Sequence, residues 1–344
     1  MDRLAGRLRH YDWGSPTALA DLRGLEPTGQ PEAELWFESD DLPYLVKVLA
    51  VQQTLSLQAH PGAEQARRGF AAEQAAGLPI DHPDRSFVDD RAKPELVCAV
   101  TPFEALCGFR PVDEAITASA ALGIPDDLVA VLAADGQQAW PALVAGALSG
   151  RWNSAIDTLL ATCAAGVGQP FADIANLVLR LADQHPADPA LLLVPMLHHH
   201  RLQPGQALYV GPGVLHSYIA GMAVEVMAPG DNVLRGGLTT KHVDTASLVE
   251  ALDPAAGEHP VQTPAGPLHR YDVPVDDFAT WRLDDTAVDI DERIGPDLVL
   301  SMAGTTTVGG LTLGPGQAAL IPEADGPYTV QTDSLAWLVT VGAT

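Results

Sequence analysis

The segment LSLQAHPG, which begins at Leu55, places three polar side chains where a strand would present them together. Ser56, Gln58 and His60 alternate with two leucines and an alanine. Because successive side chains of a strand point to opposite faces, these three share one face. A hydroxyl, an amide and an imidazole on one face of an otherwise apolar strand are unusual in a buried sheet, which raises the question of what this face binds.

Further segments carry charged or titratable groups in similar settings. In AKPELVCAV, Lys93 and Glu95 are two residues apart, and Pro94 favours extended backbone around them. A Pro-Gly turn in PGVLHSY precedes His216, and AVEVM surrounds Glu225 with apolar residues. Arg235 stands before two glycines, which let a backbone approach a ligand closely.

Two imidazoles and a carboxylate form a known ligand set for catalytic zinc, with one position open for water or substrate. His60, His216 and Glu95 could supply that set, and Gln58 would be an unusual neutral fourth ligand. A hydrogen-bonded network of buried polar groups is equally consistent with the spacing. On the residues alone, both interpretations stay open.

The run His198–His199–His200 resembles a metal-binding tract, but only alternate histidines of a strand share a face. We therefore predict a structural or surface role for it.

Composition narrows the class of partner. The 344 residues carry a formal net charge of −25, which disfavours nucleic acid and anionic membranes as partners. A locally basic pocket could still bind an anionic small molecule. Only three lysines occur, Lys47, Lys93 and Lys241, against sixteen arginines, so each lysine is a candidate for a specific role.

The sequence also suggests a compartment. Three cysteines give no disulfide framework, no apolar run is long enough for a membrane span, and the first residues lack the apolar stretch of a signal peptide. We expect a cytoplasmic protein.

The chain changes character twice. Residues 1–110 are rich in strand patterns (43–51, 55–60 and 95–100), with one helix predicted over 63–76. Residues 112–193 show helical spacing, which predicts about five helices, and strand patterns return from 201.

Two C-terminal segments repeat one another. LQPGQALYVG (202–211) and LGPGQAALIP (313–322) agree at Leu, Pro, Gly, Gln and Ala, which suggests a duplicated barrel. Continuing this register, His216 of the first copy corresponds to Pro327 of the second.

Together these motifs resemble one family. The segments YDWG, AELW, LVKVLAVQQTLSLQAHP, KPELVCAVTPFEALCGF, PGQALYVGPGVLHSY, GMAVEVMAPGDNVLRGGLTTKH and VDDFA, in this order, are similar to type I phosphomannose isomerase, a zinc-dependent family of the cupin superfamily. The likeness runs from Trp13 to about Leu248 and continues more weakly to the end.

The resemblance implies a mainly β fold with an α-helical insertion and two cupin-like β-barrels of the jelly-roll type. The first barrel, metal-bearing and catalytic, would comprise 1–110 and 201–252. A helical insertion domain would occupy 111–200, and a second cupin-like domain without metal would occupy 253–344.

The resemblance also implies roles for named residues. One Zn²⁺ per chain would be held by Gln58, His60, Glu95 and His216. The catalytic candidates are Arg235, Lys93 and Glu225, with the choice of base between Glu225 and Lys93 left open. The substrate-binding candidates are Trp13, Ser56, Lys47, Asp231 and Lys241.

Two departures from the family pattern matter. ELWF (34–37) passes directly to ESDDLPYL, without the Gly-small-His-Pro segment and long loop that usually follow. Ala92 stands where the family often has histidine before KPE, so no acid–base role can be carried to that position.

The expected activity is aldose–ketose isomerisation of mannose 6-phosphate and fructose 6-phosphate through a cis-enediol(ate), with proton transfer between C2 and C1. We expect a monomer that binds a small sugar phosphate. Three alternatives stay open: a non-catalytic sugar-binding cupin, a metal-dependent oxygenase, and an isomerase of a related sugar phosphate.

Overall fold

Strands form both ends of the chain, and helices form its middle. The computed structural model describes residues 1–254 and 259–342. The first 110 residues form β1 (Asp2–Leu4), β2 (Arg7–Arg9), α1 (Ala18–Leu22), β3 (Glu34–Phe37), β4 (Leu45–Val51), β5 (Gln58–Ala59), α2 (Ala63–Ala75), β6 (Glu95–Ala99) and β7 (Phe103–Phe109).

The segment 55–60 is strand only at Gln58 and Ala59, so the predicted strand was too long. The Leu55 N–H donates to the Tyr218 carbonyl, whereas the Leu57 N–H donates to the Gly237 carbonyl. Because successive backbone groups bond to different partners, no continuous ladder forms before Gln58.

The five helices predicted for the middle of the chain are present. They are α3 (Val112–Ala121), α4 (Asp126–Asp135), α5 (Trp140–Leu148), α6 (Ile156–Ala165) and α7 (Ala172–Gln184). Pro111 and Pro125 precede α3 and α4, where a missing N–H is tolerated. The helices pack on the end of β7, where Phe109 stacks on Trp140 at a centroid distance of 4.3 Å.

The remaining elements are mostly strands. They are β8 (Leu197–Leu202), β9 (Ala207–Val210), β10 (His216–Met227), β11 (Leu234–Arg235), α8 (Thr245–Ala251), β12 (Leu268–Arg270), β13 (Ala279–Ile290), β14 (Asp297–Ala303), β15 (Thr306–Val308), β16 (Leu311–Leu313), β17 (Gln317–Ile321) and β18 (Tyr328–Thr340).

The strands divide into two antiparallel sheets. Ten strands (β2 to β11) are connected through β10, and eight (β1 and β12 to β18) lie in a second sheet. The N-terminal strand was not expected there, but Asp2 pairs with Leu320 of β17.

One strand, β10, joins two parts of the first sheet. Over 216–220 it pairs with β5 and β7, and over 221–227 it pairs with β4 and β6. The change of pairing partners lies next to a register shift between Tyr218 and Ala220. Gly221 follows with φ +111°, and a Cβ there would lie 2.4 Å from the Pro102 carbonyl oxygen. Only glycine fits this close approach without strain.

The central strands of the first sheet are buried on both faces. Leu96 and Cys98 of β6 pack in one cluster with Leu298 and Trp337 of the second sheet, whereas Val97 packs in a separate cluster inside the first sheet. Apolar contact on the outer face thus holds the two sheets together. A polar residue on the inner face therefore needs its partners on that side of the sheet.

The repeated segments form the same turn. Gly205 and Gly316 both have positive φ, and their N–H groups donate to the Ala99 and Ser301 carbonyls, respectively. The strand after each turn pairs with a corresponding strand, β9 with β6 and β17 with β14. The five helices lie between β7 and β8, whereas Gly309 and Gly310 alone connect β15 and β16.

The mainly β fold with helices is confirmed. The strand pairings among the described residues form open sheets, with no closed ring of hydrogen bonds. The jelly-roll barrels and the domain limits at 110, 200 and 252 stay predictions. Within the described ranges, no helix is long and apolar enough to cross a membrane.

We expect Gly221→Ala to lower the free energy of unfolding by about 3 kcal/mol or more, since it adds a clash to unfavourable backbone. Gly310→Ala is the matched control. Its φ is +97°, but a Cβ there would meet nothing within 4 Å. We expect this control to cost about 1 kcal/mol in urea unfolding. Equal losses in the two variants would show that the close approach at β10 does not matter.

Candidate active site

Strand register places four charged or titratable side chains on the inner face of the first sheet. Glu225 of β10 lies opposite Lys47 of β4 on one side and Val97 of β6 on the other. Glu95 is two residues before Val97 and therefore has the same orientation. His216 begins β10 and pairs with Gln58. The alternation seen in the sequence thus brings the groups of different segments together.

A buried cluster of two imidazoles and a carboxylate lies at the centre. The His60 Nε2 is 3.2 Å from the Glu95 Oε1, and the His216 Nε2 is 3.6 Å from the Glu95 Oε2. One ligand atom from each residue lies within 4.8 Å of the others. A single ion with bonds of about 2.0–2.2 Å can span such separations.

Backbone carbonyls fix both imidazoles. The His60 Nδ1 lies 2.7 Å from the Asn232 carbonyl oxygen, and the His216 Nδ1 lies 2.9 Å from that of Val214. These contacts place the proton on Nδ1 and leave Nε2 as a lone-pair donor. Both Nε2 atoms are buried without a hydrogen-bond partner. Their position and their lone pairs fit a metal ion.

The electrostatic surroundings favour a neutral His216 imidazole and an ionised Glu95 carboxylate, which are the forms that can bind a metal ion. Burial, followed by the neighbouring His60, lowers the pKa of His216 to about 4, so this imidazole is neutral at pH 7. Burial alone would raise the pKa of Glu95, but its cationic surroundings, which include Lys93, outweigh burial and hold that pKa well below its ordinary value. The Tyr218 hydroxyl also donates to the Glu95 Oε2, at 3.3 Å.

Gln58 lies at the edge of this cluster. Its Oε1 accepts a hydrogen bond of 2.9 Å from the Ser56 hydroxyl, and it is only partly buried. The structure therefore brings Gln58 beside His216, while its role as a ligand stays a prediction.

Two lysines are buried in ion pairs. The Lys93 Nζ lies 3.1 Å from the Glu95 Oε1 and 3.7 Å from the Asp231 Oδ1. The Lys47 Nζ lies 3.2 Å from the Glu225 Oε2 and 3.9 Å from the Glu34 Oε1. Each ammonium is thus shared between two carboxylates.

The pKa values of Lys47 and Glu225 are both raised. Burial and the charge of Glu95 raise the pKa of Glu225, against the opposing effect of Lys47. Burial alone would lower the pKa of Lys47, but Glu225 and Glu34 outweigh it and raise that pKa. Lys47 therefore stays charged, and Glu225 is a carboxylate whose proton affinity is increased.

A cavity of about 630 Å³ opens onto these groups. It brings together all the predicted catalytic and substrate-binding residues as well as two of the predicted ligands. Its lining includes Trp13, Lys47, Ser56, Gln58, Lys93, Glu95, Glu225, Asp231, Arg235 and Lys241. Burial lowers the pKa of Arg235, and partial desolvation of the Lys241 side chain, together with the charge of Arg235, lowers the pKa of Lys241.

Several lining residues were not predicted. Glu34 and Trp36 line the cavity beside the shortened segment, and Gln184 and His185 reach it from the end of α7. The AELW motif contained a signal for the first two, since alternate residues of a strand share a face. The positions of Gln184 and His185 could not be predicted from sequence spacing, because they depend on how the helices pack.

Asn232 was also missed. Besides its carbonyl contact with His60, its side-chain amide donates to the Asp89 and Arg91 carbonyls, and its Oδ1 accepts from the Val88 N–H. It thus holds the segment before Lys93 and the His60 side chain together.

The histidine run lies elsewhere. The His199 Nε2 lies 2.6 Å from the Glu104 Oε1, and Arg180 of α7 donates to the same carboxylate. Among the described residues, His60, Glu95 and His216 are the only group of three or more His, Cys, Asp or Glu side chains whose ligand atoms lie within 4.8 Å of one another. The contact through His199 fits the predicted structural role.

The second sheet has a different arrangement at the corresponding place. Glu95 pairs with Val210, and Asp297 pairs with Ile321, which is the counterpart of Val210 in the repeat. Asp297 accepts hydrogen bonds of 2.7 Å from Arg293 and from the Tyr328 hydroxyl. A guanidinium and a phenol therefore satisfy the carboxylate at this position.

Comparison with known families identifies similar proteins. A family model described as the type I phosphomannose isomerase catalytic domain matches residues 37–112. The mannose-6-phosphate isomerase of Escherichia coli is 32% identical over 383 positions, covering 96% of this chain and 97% of the relative. Because 383 positions exceed the 344 residues here, the relative has segments without a counterpart in this chain.

Solved structures agree over the full length. A lysine-to-alanine variant of phosphomannose isomerase from Salmonella typhimurium is 29% identical, with a TM-score of 0.88 and 99% coverage of both chains. A zinc-bound mannose 6-phosphate isomerase structure gives the same TM-score, identity and coverage.

We expect Lys47→Met to lower the free energy of unfolding by about 3–5 kcal/mol, because it leaves buried carboxylates without their cation. Adding Glu225→Gln should recover part of the loss. Lys241→Met, at an exposed lysine of the same cavity, should change stability by no more than about 0.5 kcal/mol. Urea unfolding at pH 7 measures all three. If Lys47→Met is as stable as the parent, Lys47 does not balance the buried charge.

Proposed function

The chain belongs to the type I phosphomannose isomerase family, and we propose from this premise that it interconverts mannose 6-phosphate and fructose 6-phosphate. One observation carries the proposal. Two partnerless imidazole nitrogens and a carboxylate converge beside a cavity that is also lined by the buried Glu225 carboxylate, three lysines and two arginines. Such a site combines a place for a Lewis acid with a base and cationic groups for a sugar phosphate.

We propose one Zn²⁺ per chain, held by His60, Glu95 and His216 with Gln58 as the fourth protein ligand. The orphaned Nε2 atoms support this choice, since buried polar atoms without a partner are rare. When bound, the metal would polarise the substrate oxygens and stabilise negative charge on them.

Glu225 is the base that the geometry favours. It is 3% exposed, lines the cavity and has a raised pKa, which increases its ability to take a proton from carbon. It would remove the C2 proton of the open-chain aldose and deliver it to C1. The O2 hydroxyl proton moves to O1 in the same conversion, which leaves the carbonyl at C2 of the ketose.

The remaining cavity residues would bind and orient the substrate. Lys93 is held by Glu95 and Asp231, so we assign it to charge stabilisation near the reacting oxygens rather than to the base. Arg235 would contact the enediolate or the phosphate, and Lys241 and Ser56 are further phosphate candidates. Trp13, which stacks on Tyr11 at 5.8 Å, would form a wall for the sugar.

The sugar-binding alternative rested on the shortened segment after ELWF. Glu34 and Trp36 of that motif line the cavity and contact Lys47, so this wall contains charged and aromatic groups beside the proposed base. This observation favours catalysis. Activity on a related sugar phosphate, a monomeric state and a cytoplasmic location stay predictions.

We expect the purified enzyme to produce fructose 6-phosphate from mannose 6-phosphate, to lose activity after chelation and to regain it with zinc, because the substrate oxygens need a Lewis acid. A coupled assay with metal analysis measures this. Zinc-loaded enzyme without turnover would indicate a sugar-binding protein. Turnover in fully metal-free enzyme would show that catalysis does not need the metal.

We expect Glu225→Gln to abolish exchange of the C2 hydrogen with solvent while zinc content stays at the parent level, because the variant loses the base but no ligand. Deuterium uptake measured by NMR reports this exchange. Exchange that survives in Glu225→Gln would place the base elsewhere, and Lys93 would then be the next candidate.

Arg235→Ala should lower kcat/KM by roughly 10²–10³-fold, as for loss of a transition-state donor.

A further inference from the structure

Trp36 and Glu34 contact the Lys47 ammonium, which also pairs with Glu225. We propose that this tryptophan and this glutamate are positioning residues for proton transfer, because together they fix Lys47 against the Glu225 carboxylate. The inference rests on the proposed isomerase function and adds two residues to it, neither of which belongs to the cluster of His60, Glu95 and His216.

The strand register places these groups in a row. Trp36 of β3 lies opposite Lys47 of β4, which lies opposite Glu225 of β10. Directly opposed residues of antiparallel strands have their side chains on the same face and within contact distance. The row therefore runs across three strands on the inner face of the sheet and ends at the proposed base.

The contacts around the ammonium come from different directions. The Lys47 Nζ lies 4.5 Å from the centroid of the Trp36 ring, 3.2 Å from the Glu225 Oε2 and 3.9 Å from the Glu34 Oε1. The Trp36 Nε1 donates to the other oxygen of Glu34, Oε2, at 2.5 Å. The indole thus contacts the cation with its face and orients the second carboxylate with its N–H.

All four side chains of this arrangement are buried from solvent. The exposed fractions are 6% for Glu34, 9% for Trp36, 4% for Lys47 and 3% for Glu225. Cation–π contacts strengthen when they are desolvated, and charge-assisted hydrogen bonds are the stronger kind. Because a lysine side chain has four flexible torsions, its charged end is defined only by such contacts.

A fixed ammonium has a consequence for the reaction. Proton transfer requires a base in one geometry within hydrogen-bond reach of the carbon-bound proton. Lys47 pairs with the Glu225 carboxylate, and Trp36 and Glu34 contact the Lys47 ammonium. Loss of the indole face would let the ammonium and then the carboxylate adopt several positions, so the chemical step would slow while substrate binding would change little.

Trp36→Leu, Trp36→Phe and Glu34→Gln test this role. We expect Trp36→Leu to lower kcat at least fivefold per bound zinc, with KM for mannose 6-phosphate within about threefold. Trp36→Phe keeps a ring face and should lower kcat less than Trp36→Leu does. Glu34→Gln keeps an acceptor for the indole N–H but removes the negative charge beside Lys47. With substrate deuterated at C2, the primary isotope effect on kcat should rise in Trp36→Leu.

Trp281→Phe is the matched control, because Arg270 lies 5.4 Å from that ring in the second sheet, outside the cavity. It should leave kcat and the isotope effect unchanged. A loss below fivefold in Trp36→Leu, or a lower rate with an unchanged isotope effect, would overturn the positioning role. A parent enzyme without isomerase activity would overturn the proposed function, and this inference with it.

Discussion

The buried imidazole nitrogens of His60 and His216 set the main physical constraint on this structure. Each Nδ1 is fixed by a backbone carbonyl, so each Nε2 presents a lone pair to the same small volume beside Glu95. Burying polar atoms without partners costs free energy, and a divalent cation at that point would remove the cost. Asn232 connects this constraint to the fold, since it bonds to His60 and also to the segment before Lys93.

Two-sided burial explains why the charged groups face one another. The outer faces of β4, β6 and β10 pack on the second sheet, so their inner-face charges cannot reach solvent through that side. Lys47, Lys93, Glu95 and Glu225 must therefore neutralise one another around the cavity. The same arrangement raises the proton affinity of Glu225 and keeps Lys47 charged, which are the properties that a base and its fixed cationic partner need.

The sequence predicted those parts of the site that depend on local periodicity. The spacing of two between Gln58 and His60, and between Lys93 and Glu95, predicted that each pair shares one face, and the helical spacing of the middle segment predicted its five helices. Features set by long-range register could not be predicted. The row from Trp36 to Glu225 requires knowledge of which strands are neighbours, and the pairing of β1 with the second sheet has no local signal.

Anomalous diffraction at the zinc edge, from zinc-loaded crystals of an active preparation, tests the central claim most directly. The account predicts one strong peak at about 2.0–2.2 Å from His60 Nε2, His216 Nε2 and a Glu95 oxygen. An active preparation with no peak between these residues, or with its metal at the His198–His200 run instead, would contradict it.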